Sequence, residues 1–120
     1  MEELKLCDSD YRFMTLIWEY EPVSSGKLVE LSLEKLGWKK STTYTVLKRL
    51  CEKGIFENNG GTVTVKLSRD DFYALQSQRF VEETFQGSLP AFLAAFTSGK
   101  RLTDQEVAQL RQLVQEHEEK

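Results

Sequence analysis

Cysteine is nearly absent: among 120 residues only Cys7 and Cys51 occur, far apart and each without a second cysteine nearby. That excludes a disulfide framework or a thiolate cluster as the basis of the fold, and both read as buried or incidental thiols. Histidine is scarcer still. His117 stands alone between Glu116 and Glu118, in a charged C-terminal turn that reads as a solvated helix end. No Ser/His/Asp arrangement, phosphate-cradling glycine loop or metal-ligand spacing accompanies it, so neither an enzyme nor a cofactor or metal site is expected. No apolar run approaches the roughly 20 residues of a membrane helix. The opening Met1-Glu2-Glu3-Leu4-Lys5 lacks the character of a signal peptide. A cytoplasmic protein without membrane insertion is the expectation.

What is present is ordinary in amount and uneven in placement. Hydrophobic residues make up 40% and charged residues 29%, enough for one modest core or a small domain with an appendage. The net charge of −3 argues weakly against a nucleic-acid partner, but its distribution reverses that. Between Ser24 and Lys53, Lys27, Lys35, Lys39, Lys40, Lys48, Arg49 and Lys53 face only Glu30, Glu34 and Glu52. From Leu102 onward the balance is acidic, with Arg111 and Lys120 against Asp104, Glu106, Glu116, Glu118 and Glu119. A basic stripe on an acidic chain is a localised electrostatic footprint.

Periodicity predicts a first helix from about Ser9 to Tyr20, capped by Asp8 or Ser9, with Tyr11, Met14, Ile17 and Trp18 at helical spacing. Glu21-Pro22 stops it. A second helix follows the Ser24-Ser25 caps through Leu33 or Leu36 with Leu28 and Leu31 inward, Gly37 breaks it, and Trp38 plugs the core at the turn. The third helix is expected from about Ser41 to Lys53. Thr43, Val46, Leu47, Leu50 and Cys51 share its packing side, and Gly54 ends it. Alternation in Ile55–Glu57 and Thr62–Leu67, on either side of Asn58-Asn59-Gly60-Gly61, predicts a two-stranded hairpin.

The fold class is therefore mainly α with a small β-hairpin: a winged helix-turn-helix DNA-binding domain over residues 1–67 followed by a helical dimerisation domain over 68–120. In the second half, Ser68 caps a long helix to about Gln86 bearing Phe72, Leu75, Phe80, Val81 and Phe85. Ser88-Leu89-Pro90 opens a compact helix with Leu89, Phe92, Leu93 and Phe96 on one face. Thr103-Asp104-Gln105-Glu106 reads as a capping box, with Leu102 and Val107 as a staple, ahead of Val107, Leu110, Leu113 and Val114. Three short amphipathic helices cannot easily build a core of their own. Phe80, Phe85, Leu89, Phe92, Leu93, Phe96, Val107, Leu110 and Val114 are accordingly expected to pack on a second copy of the chain. Packing back onto their own winged helix is the other possibility.

The chemistry gathers in Trp38-Lys39-Lys40-Ser41-Thr42-Thr43-Tyr44-Thr45. A helix N-terminus presents free N–H groups and the positive end of its dipole, which suits phosphate, and Lys39 and Lys40 stand just before it. These two lysines are expected to give affinity and salt dependence rather than selectivity. Ser41, Thr42, Tyr44, Thr45, Lys48 and Arg49 lie along the other side, where hydroxyls and a guanidinium can meet bases or phosphates in the major groove. The wing tip, Asn58 to Gly61, carries no cation. The rival reading is a protein-interaction module that turns its basic surface to an acidic partner.

Several stretches carry a family resemblance: Asp10-Tyr11-Arg12-Phe13-Met14 with Ile17-Trp18; Trp38 followed by Thr42 and Thr45; Leu47-Lys48-Arg49-Leu50; Lys53-Gly54; and Phe85-Gln86-Gly87-Ser88-Leu89. In this order and spacing the chain resembles the penicillinase repressor (BlaI/MecI) family over nearly all its length. The resemblance implies a homodimeric transcriptional repressor whose winged helices bind the halves of a palindromic operator and whose C-terminal helices hold the dimer. It also implies a membrane sensor protease system that detects β-lactam and leads to cleavage in the dimerisation region between asparagine and phenylalanine. That bond falls here at Ala95-Phe96, with alanine in place of the asparagine. Copper-responsive relatives carry C-terminal Cys-x-Cys motifs, whereas this chain has no cysteine after Cys51, so thiolate metal sensing is not expected. Near the family's wing arginine and tyrosine stand Thr62 and Lys66, so wing contacts do not carry over.

Overall fold

Asp10, an acid inside an otherwise apolar face, decides where the first helix starts. In the computed structural model, which describes residues 6–119, helix α1 runs Asp8–Tyr20 with Cys7 as N-cap. The Asp10 carboxylate accepts the Cys7 backbone N–H at 3.1 Å, so it satisfies one orphan donor and starts the helix a residue earlier than the expected Asp8 or Ser9 cap allows. The expectation about Met1 to Lys5 lies outside the described residues. Helix α2 (Ser25–Leu36) is capped by Ser24, whose hydroxyl accepts from Lys27 N at 3.0 Å. It closes at Gly37 with φ 69°, a left-handed conformation that glycine adopts without steric cost. Helix α3 (Lys40–Glu52) follows after three residues and ends two residues before Gly54, whose φ is 82°.

Strand pairing corrects one expectation. The hairpin strands β2 (Phe56–Asn59) and β3 (Thr62–Val65) pair antiparallel, but β3 also pairs on its other edge with a strand β1 (Val23–Ser24). The sheet thus has three strands in the order β1-β3-β2, not two. Two residues, the second of them the cap of α2, are too few to show alternation. Val23 is fixed there by burial, 5% exposed, opposite Val63. The turn is also tighter than expected: Asn58 pairs with Val63 and Asn59 with Thr62, leaving Gly60 and Gly61 alone at the tip. Both have positive φ, 60° and 96°, as a primed two-residue turn requires.

The core of this unit is continuous across α1, α2, α3 and the sheet: Phe13, Met14, Ile17, Leu28, Leu50, Ile55, Phe56 and Val63 are all essentially inaccessible. Trp38 fills the turn before α3 and packs on Phe13 with ring centroids 5.1 Å apart. Helix α4 (Arg69–Phe85) begins at Ser68, whose hydroxyl accepts from Asp71 N at 3.1 Å. Its Phe72 is 0% exposed and belongs to the same core, in contact with Trp18 and Tyr11. Trp18 in turn donates its indole N–H to Leu67 O at 3.1 Å. The chain consequently divides into two compact units, the first ending at Ser77 and the second beginning at Gln78. That division falls inside α4, ten residues beyond the expected boundary at Leu67.

The second unit contains the end of α4, helix α5 (Leu89–Gly99) and helix α6 (Asp104–Glu118). Ser88 caps α5 by accepting from Ala91 N at 3.1 Å. Thr103 and Glu106 form the reciprocal box ahead of α6, at 2.9 and 3.0 Å. Phe80, Phe85 and Phe92 make an edge-to-face cluster with centroids 5.6 to 5.9 Å apart, and Phe96 extends it. Yet no residue of α5 or α6 is buried. Phe80, Leu89, Phe96, Leu113 and Val114 remain between 44% and 62% exposed.

Candidate nucleic-acid interface

Helix α3 sorts its side chains by the 3.6-residue period. Thr43, Val46, Leu47 and Leu50 are buried, while Ser41, Thr42, Thr45 and Lys48 are exposed together with Lys39 and Lys40 at its start. Lys39 is the N-cap and makes no side-chain capping bond, and the first turn holds no acid. The helix therefore offers uncapped N–H groups and dipole charge beside two lysines, an arrangement suited to an anionic oxygen. Helices α1, α4 and α6 differ in carrying Asp or Glu in their first turns.

Not every expected donor is free. The Thr45 hydroxyl donates to Ser41 O at 2.9 Å, which leaves its lone pairs and methyl group available outward. The Tyr44 hydroxyl donates to Ser25 Oγ at 3.2 Å. Ser25 N–H in turn donates to Gly61 O at 2.7 Å, so Tyr44 and the wing tip share an anchor at the start of α2. Arg49 is half exposed, but its Nη2 lies 2.6 Å from Asp10 Oδ1, on a carboxylate only 6% exposed. Asp10 and Ser25 are the site residues that sequence reasoning missed. Asp10 carried a signal, an acid at a position of α1 that burial would make costly without a cation, but its partner on α3 could not be read from spacing.

The remaining residues with chemical potential are quiet. Burial, reinforced by the charge of Glu57, pushes the Cys51 thiol up from its ordinary value, which holds it protonated and unreactive. Among the described residues no group of three His, Cys, Asp or Glu is placed to hold a metal ion, and no helix is long and apolar enough to cross a membrane.

Comparison with known proteins extends beyond this helix. A family profile described as Penicillinase repressor matches residues 6–116. The penicillinase repressor of Bacillus licheniformis is 23% identical over 117 residues, covering 94% of this chain and 91% of that protein. Because the match takes in the distal helices as well as the winged helix, the chain belongs to the penicillinase repressor family of transcriptional regulators.

Proposed function

We propose that the protein represses transcription by binding a palindromic double-stranded DNA operator as a homodimer. The observation that carries this reading is the start of α3, uncapped by any side chain, free of acid and flanked by Lys39 and Lys40. These lysines and the helix N-terminus hold phosphate, while Ser41, Thr42, Thr45 and Lys48 face the groove and read it. Tyr44 and Arg49, engaged with Ser25 and Asp10, hold α3 against α2 and α1. The wing tip has no cation and contributes little beyond its backbone.

Uncovered apolar side chains on α4, α5 and α6 support the dimer. Phe80, Leu89, Phe96 and Val114 are each at least 44% exposed, a condition that a second copy removes by the same surface on both partners. Two α3 helices then reach successive major grooves, with half-sites one or two helical turns apart. Each weak module tethers the other, so loss of the dimer releases DNA. Cleavage at Ala95-Phe96, reached through a membrane sensor protease system that responds to β-lactam or another cell-envelope signal, is one such route. That bond lies within α5, where Phe96 O accepts from Lys100 N and Ala95 O from Ser98 Oγ. Helix α5 must therefore unwind locally before a protease can take it in extended form.

A gel-shift survey of fragments from the source genome at two salt concentrations tests the reading. Retention of a few fragments, weakened by salt, is the expected result. Failure to retain any fragment at low salt would instead favour a winged helix that turns its basic surface to an acidic protein.

A further inference from the structure

The Asp10–Arg49 pair is unusual in where it spends a charge. Arg49 sits on α3, on the same flank as Thr42 seven residues earlier, and half of its side chain faces solvent. Its partner carboxylate is almost fully enclosed, fixed from one oxygen by the Cys7 N–H at 3.1 Å and from the other by Arg49 at 2.6 Å. Most surface ion pairs are loose and screened. This one has a pinned, dry anion at contact distance, so the cation is neutralised where it stands.

We propose that Asp10 is a specificity-determining residue that withholds the charge of Arg49 from DNA phosphates. The inference rests on the reading of α3 as the DNA-recognition helix. A cation on that helix that meets a phosphate strengthens binding to every duplex alike, because the released counterions do not depend on sequence. Selectivity is the ratio of operator to non-operator affinity, and a uniform gain on abundant competing DNA erodes it. Lys39, Lys40 and Lys48 already stand exposed on or beside α3. A further unpaired cation adds affinity without information. Paired with Asp10, Arg49 keeps the directed donors of its planar fork and fixes α3 to α1, but adds no net charge to the interface.

The test uses the full chain in fluorescence titrations against two duplexes of equal length: one selected from the source genome by the wild-type protein, and one of random sequence. Asp10→Asn keeps one acceptor for Cys7 N–H, removes the charge and turns an amide NH2 in place of an acceptor toward Arg49. It is expected to tighten random-duplex binding about fivefold at physiological salt, to steepen the salt dependence by ~0.9, and to lower the selected-to-random ratio. Adding Arg49→Gln to that variant returns the salt slope to the wild-type value, which a purely structural role for the pair does not predict. An unchanged slope in Asp10→Asn, or a steep slope that persists in the double variant, overturns the proposal. If Asp10→Asn melts below the assay temperature, Asp10→Ser gives the same readout with a hydroxyl acceptor in the first turn of α1. A wild-type chain that retains no genomic duplex in the selection overturns the DNA-binding reading itself, and this inference with it.

Discussion

Adjacent threonines on α3 have opposite environments: Thr42 is exposed, whereas Thr43 is 0% exposed and donates its hydroxyl to Lys39 O at 3.2 Å. A rotation of about 100° per residue separates them, and it sorts the neighbouring groups into a buried face and an exposed one. The sorting was legible for Thr43, Val46, Leu47 and Leu50, because apolar periodicity defines the inward face. It was not legible for Arg49, whose free or paired state depends on Asp10 across 39 positions. At this scale Lys40 gives a clear expectation. Lys40→Gln lowers affinity for selected and random duplexes by similar factors and flattens the salt dependence by ~0.9, whereas Thr45→Val changes which duplex is preferred. Titrations at several salt concentrations check both. A Lys40 substitution that altered preference alone would reverse the assigned roles.

At the scale of elements, caps and turns were the most readable features because their chemistry is local. Ser24, Ser68, Ser88 and Thr103 each accept a backbone N–H within the first turn of their helices. Strand β1 was not readable, since two residues become a strand only when β3 offers its second edge. The Thr103–Glu106 box yields a pH expectation. The Thr103 N–H and hydroxyl hold the Glu106 carboxyl below its ordinary range. Its contribution is therefore present above the unfolded carboxylate value of about 4.3 and is lost as pH falls through the lower folded value. Circular dichroism of wild type should show helix loss over that acid window. Glu106→Gln should lack that component, and Thr103→Ala should lower helix stability at neutral pH by about 1 kcal/mol. Equal acid sensitivity in wild type and Glu106→Gln would mean that the box does not hold α6.

For the whole molecule, the position of Phe72 changes what can be cut away. A chain ending at Leu67 loses a fully buried aromatic ring from the winged-helix core, a deletion of the class that costs about 3–5 kcal/mol, and should not fold cooperatively. A chain ending at Ser77 keeps the first compact unit. It should remain folded and monomeric while binding selected DNA far more weakly than the full chain, since the tethered second module is lost. Sedimentation and titration together decide this. Full-strength binding by that monomer would sink the valency argument.

Periodicity, caps and turn glycines in the sequence by themselves determined three helices, a hairpin and an amphipathic distal half, because each depends on neighbours within a few residues. The uneven placement of lysines likewise marked α3 as the candidate recognition helix. Only the tertiary structure decided that Val23 pairs with Val63, that Phe72 belongs to the first core, and that Arg49 is held by Asp10. These contacts join residues remote in the chain, and no local pattern encodes which distant edge, cavity or carboxylate a side chain will meet.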